Sequence, residues 1–171
     1  MLNRLATRAH LDFSPQHRQP RPARVVLAGL AAIVGSLLAD STLVVIGERV
    51  FPSTKGYGHF QFSDYGKLTV IGVIIATVAW PIVTRVTSKP RWLFFWLAIT
   101  ITLLLWLPDL YILHQGQPGK AVAVLMTMHL AIALVTYNLL VHVAPVRHPV
   151  ESPAPPTQSR RSSRRRAWRS R

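Results

Sequence analysis

An all-α fold, a four-helix transmembrane bundle with disordered basic arms at both ends, is predicted by three features of this sequence. The apolar residues, half of the 171, fall into four long blocks. The charged residues lie almost wholly outside those blocks. Sixteen of the 20 lysines and arginines fall in the three segments that four crossings would put on one side. A net charge of +14 suggests nucleic acid or an anionic membrane surface as partner. The apolar blocks make the membrane the first reading and nucleic acid the weaker one. The absence of cysteine excludes disulfides, thiolate metal ligands and thiol catalysis. The length fits one domain.

The elements follow in order. Residues 1–24 hold five arginines and a single acid, Asp12. They resemble a transit peptide in being basic and acid-poor, but Pro15, Pro20 and Pro22 interrupt them, so they read as a cytoplasmic arm. A helix needs about 20 apolar residues to cross roughly 30 Å of hydrocarbon. Residues 25–47 are the first such stretch, interrupted only by Asp40, Ser41 and Thr42, which can mark a break in the helix. Val25 to Ala39 could pass as a signal-peptide core. Leu37 is a poor residue for a cleavage site after Ala39, and Leu43 to Gly47 carry the apolar run past it, so an uncleaved span is predicted. The loop from Glu48 to Lys67 alternates at Phe60-Gln61-Phe62-Ser63, which suggests a short strand or a segment lying on headgroups. Residues 68–86 are the second span, with Arg85 able to snorkel and a kink expected at Pro81. Residues 92–113 are the third, with Asp109 near its end, and 119–143 the fourth, holding His129, Asn138 and His142. Residues 144–171 are a proline- and arginine-rich tail.

Orientation follows from the lysines and arginines. The first arm, the link between spans two and three, and the tail carry the sixteen, leaving Arg49, Lys55, Lys67 and Lys120 opposite. The excess predicts a multi-pass cell-membrane protein with both termini cytoplasmic. An even number of crossings is needed for that, and four satisfies it. Trp92, Phe94, Phe95 and Trp96 begin span three, where interfacial rings are favoured.

Ionisable side chains inside spans cost free energy and so are functional candidates. At about 1.5 Å per residue, Asp40 lies roughly 22 Å and Asp109 roughly 25 Å from the inner edge. His129 lies roughly 15 Å from the outer edge. Asp40, Asp109 and His129 therefore form a candidate intramembrane polar site, open to the outside, for a proton, a cation or a basic ligand. The structural reading is that Asp109, after Pro108, meets water or caps a turn, and that His129 bonds across to another helix as polar glue. A shared site requires the three to face one another within the bundle.

Ala28, Ala32, Ser36 and Asp40 recur every four residues with Gly35 beside them. Small residues at this spacing let helices approach closely, so this is a candidate helix-packing face. No His-x-x-x-His or His-Glu pair suggests a metal, and no cofactor is expected. No catalytic constellation appears, so an enzyme is not predicted. The tail cluster Arg160, Arg161, Arg164, Arg165, Arg166, Arg169 and Arg171 suits the anionic headgroups of the lipid bilayer. Nucleic acid also needs dense positive charge, but attachment to a membrane favours lipid.

Leu107-Pro108-Asp109-Leu110 in span three and Met126-Thr127-Met128-His129-Leu130 in span four resemble a family of small four-span bacterial membrane proteins of unknown function. The resemblance covers about Arg24 to Val143 and implies no activity. It implies only that Asp109 and His129 are the positions to test. Two function classes remain. One is a non-enzymatic scaffold, accessory subunit or partner-binding protein, acting with a membrane-protein partner or as a homo-oligomer. The other is a small oligomeric transporter or ion-coupled carrier using Asp40, Asp109 and His129.

Overall fold

The structure, a computed structural model, describes residues 19–146. The arginine cluster Arg160–Arg171 and most of the first arm lie outside the described residues. Among the described residues, four long helices make the architecture: α1 Pro22–Val50, α2 Phe62–Val86, α3 Pro90–His114 and α4 Gly119–Val143. Each is long and apolar enough to cross a membrane, and the chain is a multi-pass membrane protein. The helices alternate in direction. One end of the bundle, the terminal end, carries the start of α1, the α2–α3 link and the end of α4. The other, the loop end, carries the α1–α2 loop and the α3–α4 turn.

α1, α2 and α3 overrun the predicted spans. The apolar pattern stops at the first wetted charge, whereas backbone hydrogen bonding continues through Arg24, Glu48, Arg49 and Lys67. No break occurs at Asp40-Ser41-Thr42. The Thr42 hydroxyl donates to Leu38 O at 2.7 Å, so it is satisfied within the helix. Pro81 lies inside α2, which runs on to Val86.

The loop contains no strand at Phe60–Ser63. Two 3₁₀ turns, Pro52–Thr54 and Gly58–Phe60, occupy it, and Phe62 and Ser63 already begin α2. Four alternating residues are too few to hold a strand without a partner. Turn chemistry decides instead: Gly56, at φ 75°, sits third in a turn closed by Tyr57 N–H to Thr54 O at 3.1 Å. Phe60 is then buried against Val44, Val124, Leu125 and Met128, so this part of the loop folds back over the bundle. The α3–α4 turn is a Schellman motif. Gly116, at φ 88°, donates to Leu113 O at 3.0 Å, and Gln117 donates to Ile112 O at 3.2 Å.

α1 packs most extensively against α4, then against α2, while α4 also packs against α3. α1 buries Ala28, Ala32, Ser36, Asp40 and Val44, each four residues after the last. A Cβ on Gly35 would lie 3.0 Å from Val135 of α4, and one on Gly29 would lie 2.7 Å from the Thr77 side chain of α2. Gly29→Val is therefore expected to cost about 1–3 kcal/mol through overpacking. Gly72→Val, where a Cβ meets nothing within 4 Å, is the control. Melting temperatures in detergent check the pair, and equal losses would contradict close α1–α2 packing as the cause.

The interior has two apolar clusters. The terminal-end cluster comprises Val25, Ala28, Trp80, Val83, Phe94, Leu140, Val141 and Ala144. The loop-end cluster comprises Val44, Phe60, Ala121, Val124, Leu125 and Met128. Asp40 lies between them along α1, and His129 and Thr136 along α4.

Candidate functional site

α1 carries Asp40 on its buried face, with no exposed surface. α2 places Thr69 opposite, and the Thr69 hydroxyl donates to Asp40 Oδ2 at 2.7 Å. One turn further along α2 towards the loop end, Tyr65 meets Ser41 hydroxyl to hydroxyl at 3.0 Å. These bonds tie α1 to α2. Thr77, Thr102 and Thr127 instead donate back to the carbonyl four residues earlier in their own helices.

α3 and α4 carry the second pair. His129 Nδ1 lies 3.0 Å from Asp109 Oδ2. With the carboxylate ionised, the imidazole N–H donates. Asp109 is buried, with its carboxylate on His129, while the His129 side chain remains a quarter exposed. Trp106, one turn before Asp109, donates its indole N–H to Met126 O at 3.1 Å and reinforces the α3–α4 tie.

The two pairs share a geometric rule. In a helix the Cα–Cβ bonds tilt toward the N-terminus. α1 and α3 end at the loop end, so Asp40 and Asp109 lean inward from it. α2 and α4 begin there, so Thr69 and His129 lean outward to meet them. Of Asp40, Asp109 and His129, the last two are bonded directly, while Asp40 is bonded to Thr69. Among the described residues, no group of three acidic or histidine side chains is placed to hold a metal ion.

Tyr57, in the α1–α2 loop, lies within electrostatic reach of Asp109. Its hydroxyl is buried without a hydrogen-bond partner. Burial first, and the negative charge of Asp109 second, push its phenol above the usual value of 10.0. A raised folded-state value means that stability is fully present below about pH 10 and is lost as pH rises through the folded value. Tyr57→Phe is expected to remove this alkaline loss and to leave neutral-pH stability unchanged or slightly higher, since it deletes an unpartnered polar atom. Melting curves between pH 8 and about 11 check it. An unchanged alkaline limit would place the titrating group elsewhere.

The other candidate positions fall as follows. Ala28, Ala32 and Ser36 are wholly buried, and Gly35 faces Val135 and Leu139. The Ser36 hydroxyl, the Thr136 hydroxyl of α4 and Asp40 Oδ1 are buried without partners. Asn138 and His142 are satisfied by their own helix, Asn138 on Leu134 O at 2.7 Å and His142 on Asn138 O at 2.8 Å. Nothing in the sequence singles out Thr69, Trp106 or Tyr57. Hydroxyls and aromatic rings are common in spans, so only the partner distinguishes them.

The terminal-end half is closed. Trp80 is fully buried, packs on Phe94 with ring centroids 5.1 Å apart, and donates its indole N–H to Ala144 O at 2.9 Å. The polar layer therefore has an apolar seal between it and the terminal end. A model of DUF6069, described as a family of unknown function, matches residues 17–145. No curated protein and no solved structure matches the chain.

Proposed function

The chain belongs to the DUF6069 family of unknown function, and within that family we propose that it is a non-enzymatic membrane component: a scaffold, accessory subunit or partner-binding protein. One observation carries this reading. The strongest polar groups inside the bundle are bonded to one another across helices, Asp40 to Thr69 and Asp109 to His129, above an apolar seal at Trp80. Such pairs hold helices in register. A path for a solute needs polar groups facing a cavity that continues to the far side. The excess of lysine and arginine at the terminal end supports that end as cytoplasmic. The tail arginines, under the same reading, hold the anionic inner leaflet.

A second reading, an ion-coupled carrier, draws on the unpartnered Asp40 Oδ1. One experiment separates them. The full chain is purified from native membranes in mild detergent, and a parallel sample is reconstituted into liposomes. The component reading expects a membrane protein that co-purifies in fixed proportion and liposomes without ion flux. Purification of the chain alone, with proton or cation flux that Asp109→Asn abolishes, would replace it with the carrier.

A further inference from the structure

We propose that the cleft between α3 and α4 is a binding site for one anionic phospholipid of the leaflet at the terminal end. The cleft has a volume of about 220 Å³. Ala98 of α3 and Ala133 of α4 are among its small lining residues, with Leu103, Leu130 and Leu134 among its larger ones. It is apolar throughout, because the Thr102 hydroxyl that lines it is turned onto Ala98 O at 2.8 Å.

Its length fits one acyl chain. Phe95 and Trp106 line opposite ends along α3. Eleven residues at about 1.5 Å each give roughly 16 Å. That is half of the roughly 30 Å hydrocarbon thickness, the share of a single leaflet. Aromatic ties bound both ends. Trp106 bonds across to Met126 O at the end nearer the loops. Tyr137 stands at the other, edge-on to Phe95 and with its hydroxyl 3.4 Å from Arg91 O, to which it donates.

Charge identifies the headgroup. The terminal-end mouth of the cleft lies below Arg91 in the first turn of α3, with exposed Arg85 in the last turn of α2 and exposed Lys89 in the link between them. The acids of the described residues, Asp40, Glu48, Asp64 and Asp109, all belong to the other half of the bundle. Among the described residues no carboxylate lies at this mouth, and a phosphate there meets the guanidinium groups of Arg91 and Arg85. α3 also begins without a side-chain cap, so the positive end of its dipole adds to the same field. Basic pockets between spans on the cytoplasmic side suit anionic lipid headgroups. A zwitterionic lipid would fill the cleft equally well but gain less at the rim.

The test uses the delipidated full chain in detergent, with phosphatidylglycerol or phosphatidylcholine of matched chain length added. Native mass spectrometry counts the bound lipid. The expected result is one retained phosphatidylglycerol, held about fivefold or more over phosphatidylcholine. Arg91→Gln is expected to bring the two lipids together. Ala133→Leu and Ala98→Leu, made separately from the two walls, are expected to expel the retained lipid while the lipid-free melting temperature holds. Either suffices if the other fails to fold. Lipid held by the tail arginines is untouched by these three changes, so a phosphatidylglycerol count that none of them lowers overturns the proposal. Equal retention of both lipids by the unaltered chain overturns it too, as does equal stabilisation by inorganic phosphate.

Discussion

Trp80→Ala is expected to cost about 3–5 kcal/mol of stability, the largest loss of any single change considered. The indole has no exposed surface and fills the terminal-end core between Phe94 and the end of α4. Its removal leaves a cavity inside protein, where neither lipid nor a neighbouring side chain can close the gap without moving a helix. It also strands the carbonyl of Ala144, which receives the indole N–H at 2.9 Å. Trp80→Phe separates the two contributions. It keeps an aromatic ring against Phe94 and removes only the donor, so a loss of about 1–3 kcal/mol is expected from the stranded carbonyl and the smaller ring. Unfolding of the detergent-solubilised full chain measures both. A Trp80→Ala loss no greater than that of Trp80→Phe would mean that the ring's volume contributes nothing.

His129→Ala is expected to follow, at about 2–3 kcal/mol. The figure lies below that for a fully buried ion pair because the imidazole is a quarter exposed and because interhelical hydrogen bonds in membranes average well under 2 kcal/mol. Most of the loss comes from Asp109, which remains buried after its donor has gone. Pairing His129→Leu with Asp109→Leu is therefore expected to cost less than the two single changes added together. A double-mutant cycle on thermal or denaturant unfolding reads the difference, about 1–2 kcal/mol of coupling. Strict additivity would mean that the 3.0 Å contact carries no energy.

The four helices were legible because hydrocarbon thickness calls for about 20 apolar residues per crossing, and the apolar blocks meet that length. The small-residue stripe on α1 was legible for a similar reason, since a period of four in Ala28, Ala32 and Ser36 marks one helix face. The Asp109–His129 bond was harder to foresee. Depth along the helix axis put the two residues about 10 Å apart. Axis depth ignores the tilt of Cβ toward each helix N-terminus, which moves these two side chains toward each other because α3 and α4 run in opposite directions. Thr69 was illegible for a different reason. Thr77, Thr102 and Thr127 bond their own backbone, and sequence does not say which hydroxyl will reach across. The loop went astray on a pattern of four residues, where Gly56 and Pro52 were the stronger signals.

The two polar pairs bear on how the chain assembles. Asp40–Thr69 joins α1 to α2 across 29 residues, and Asp109–His129 joins α3 to α4 across 20. Each pair is internal to one helical hairpin. A hairpin entering the bilayer can therefore neutralise its own most lipid-averse groups before it meets the other hairpin. The α1–α4 face, the most extensive in the bundle, relies instead on close approach of small residues at Gly35 and Gly47 to Val135 and Val124. Biogenesis then divides into two local steps driven by hydrogen bonding in lipid and one late docking step driven by fit. Substitutions at Asp109 or His129 should be felt when the second hairpin forms, and those at Gly35 or Gly47 only when the hairpins join.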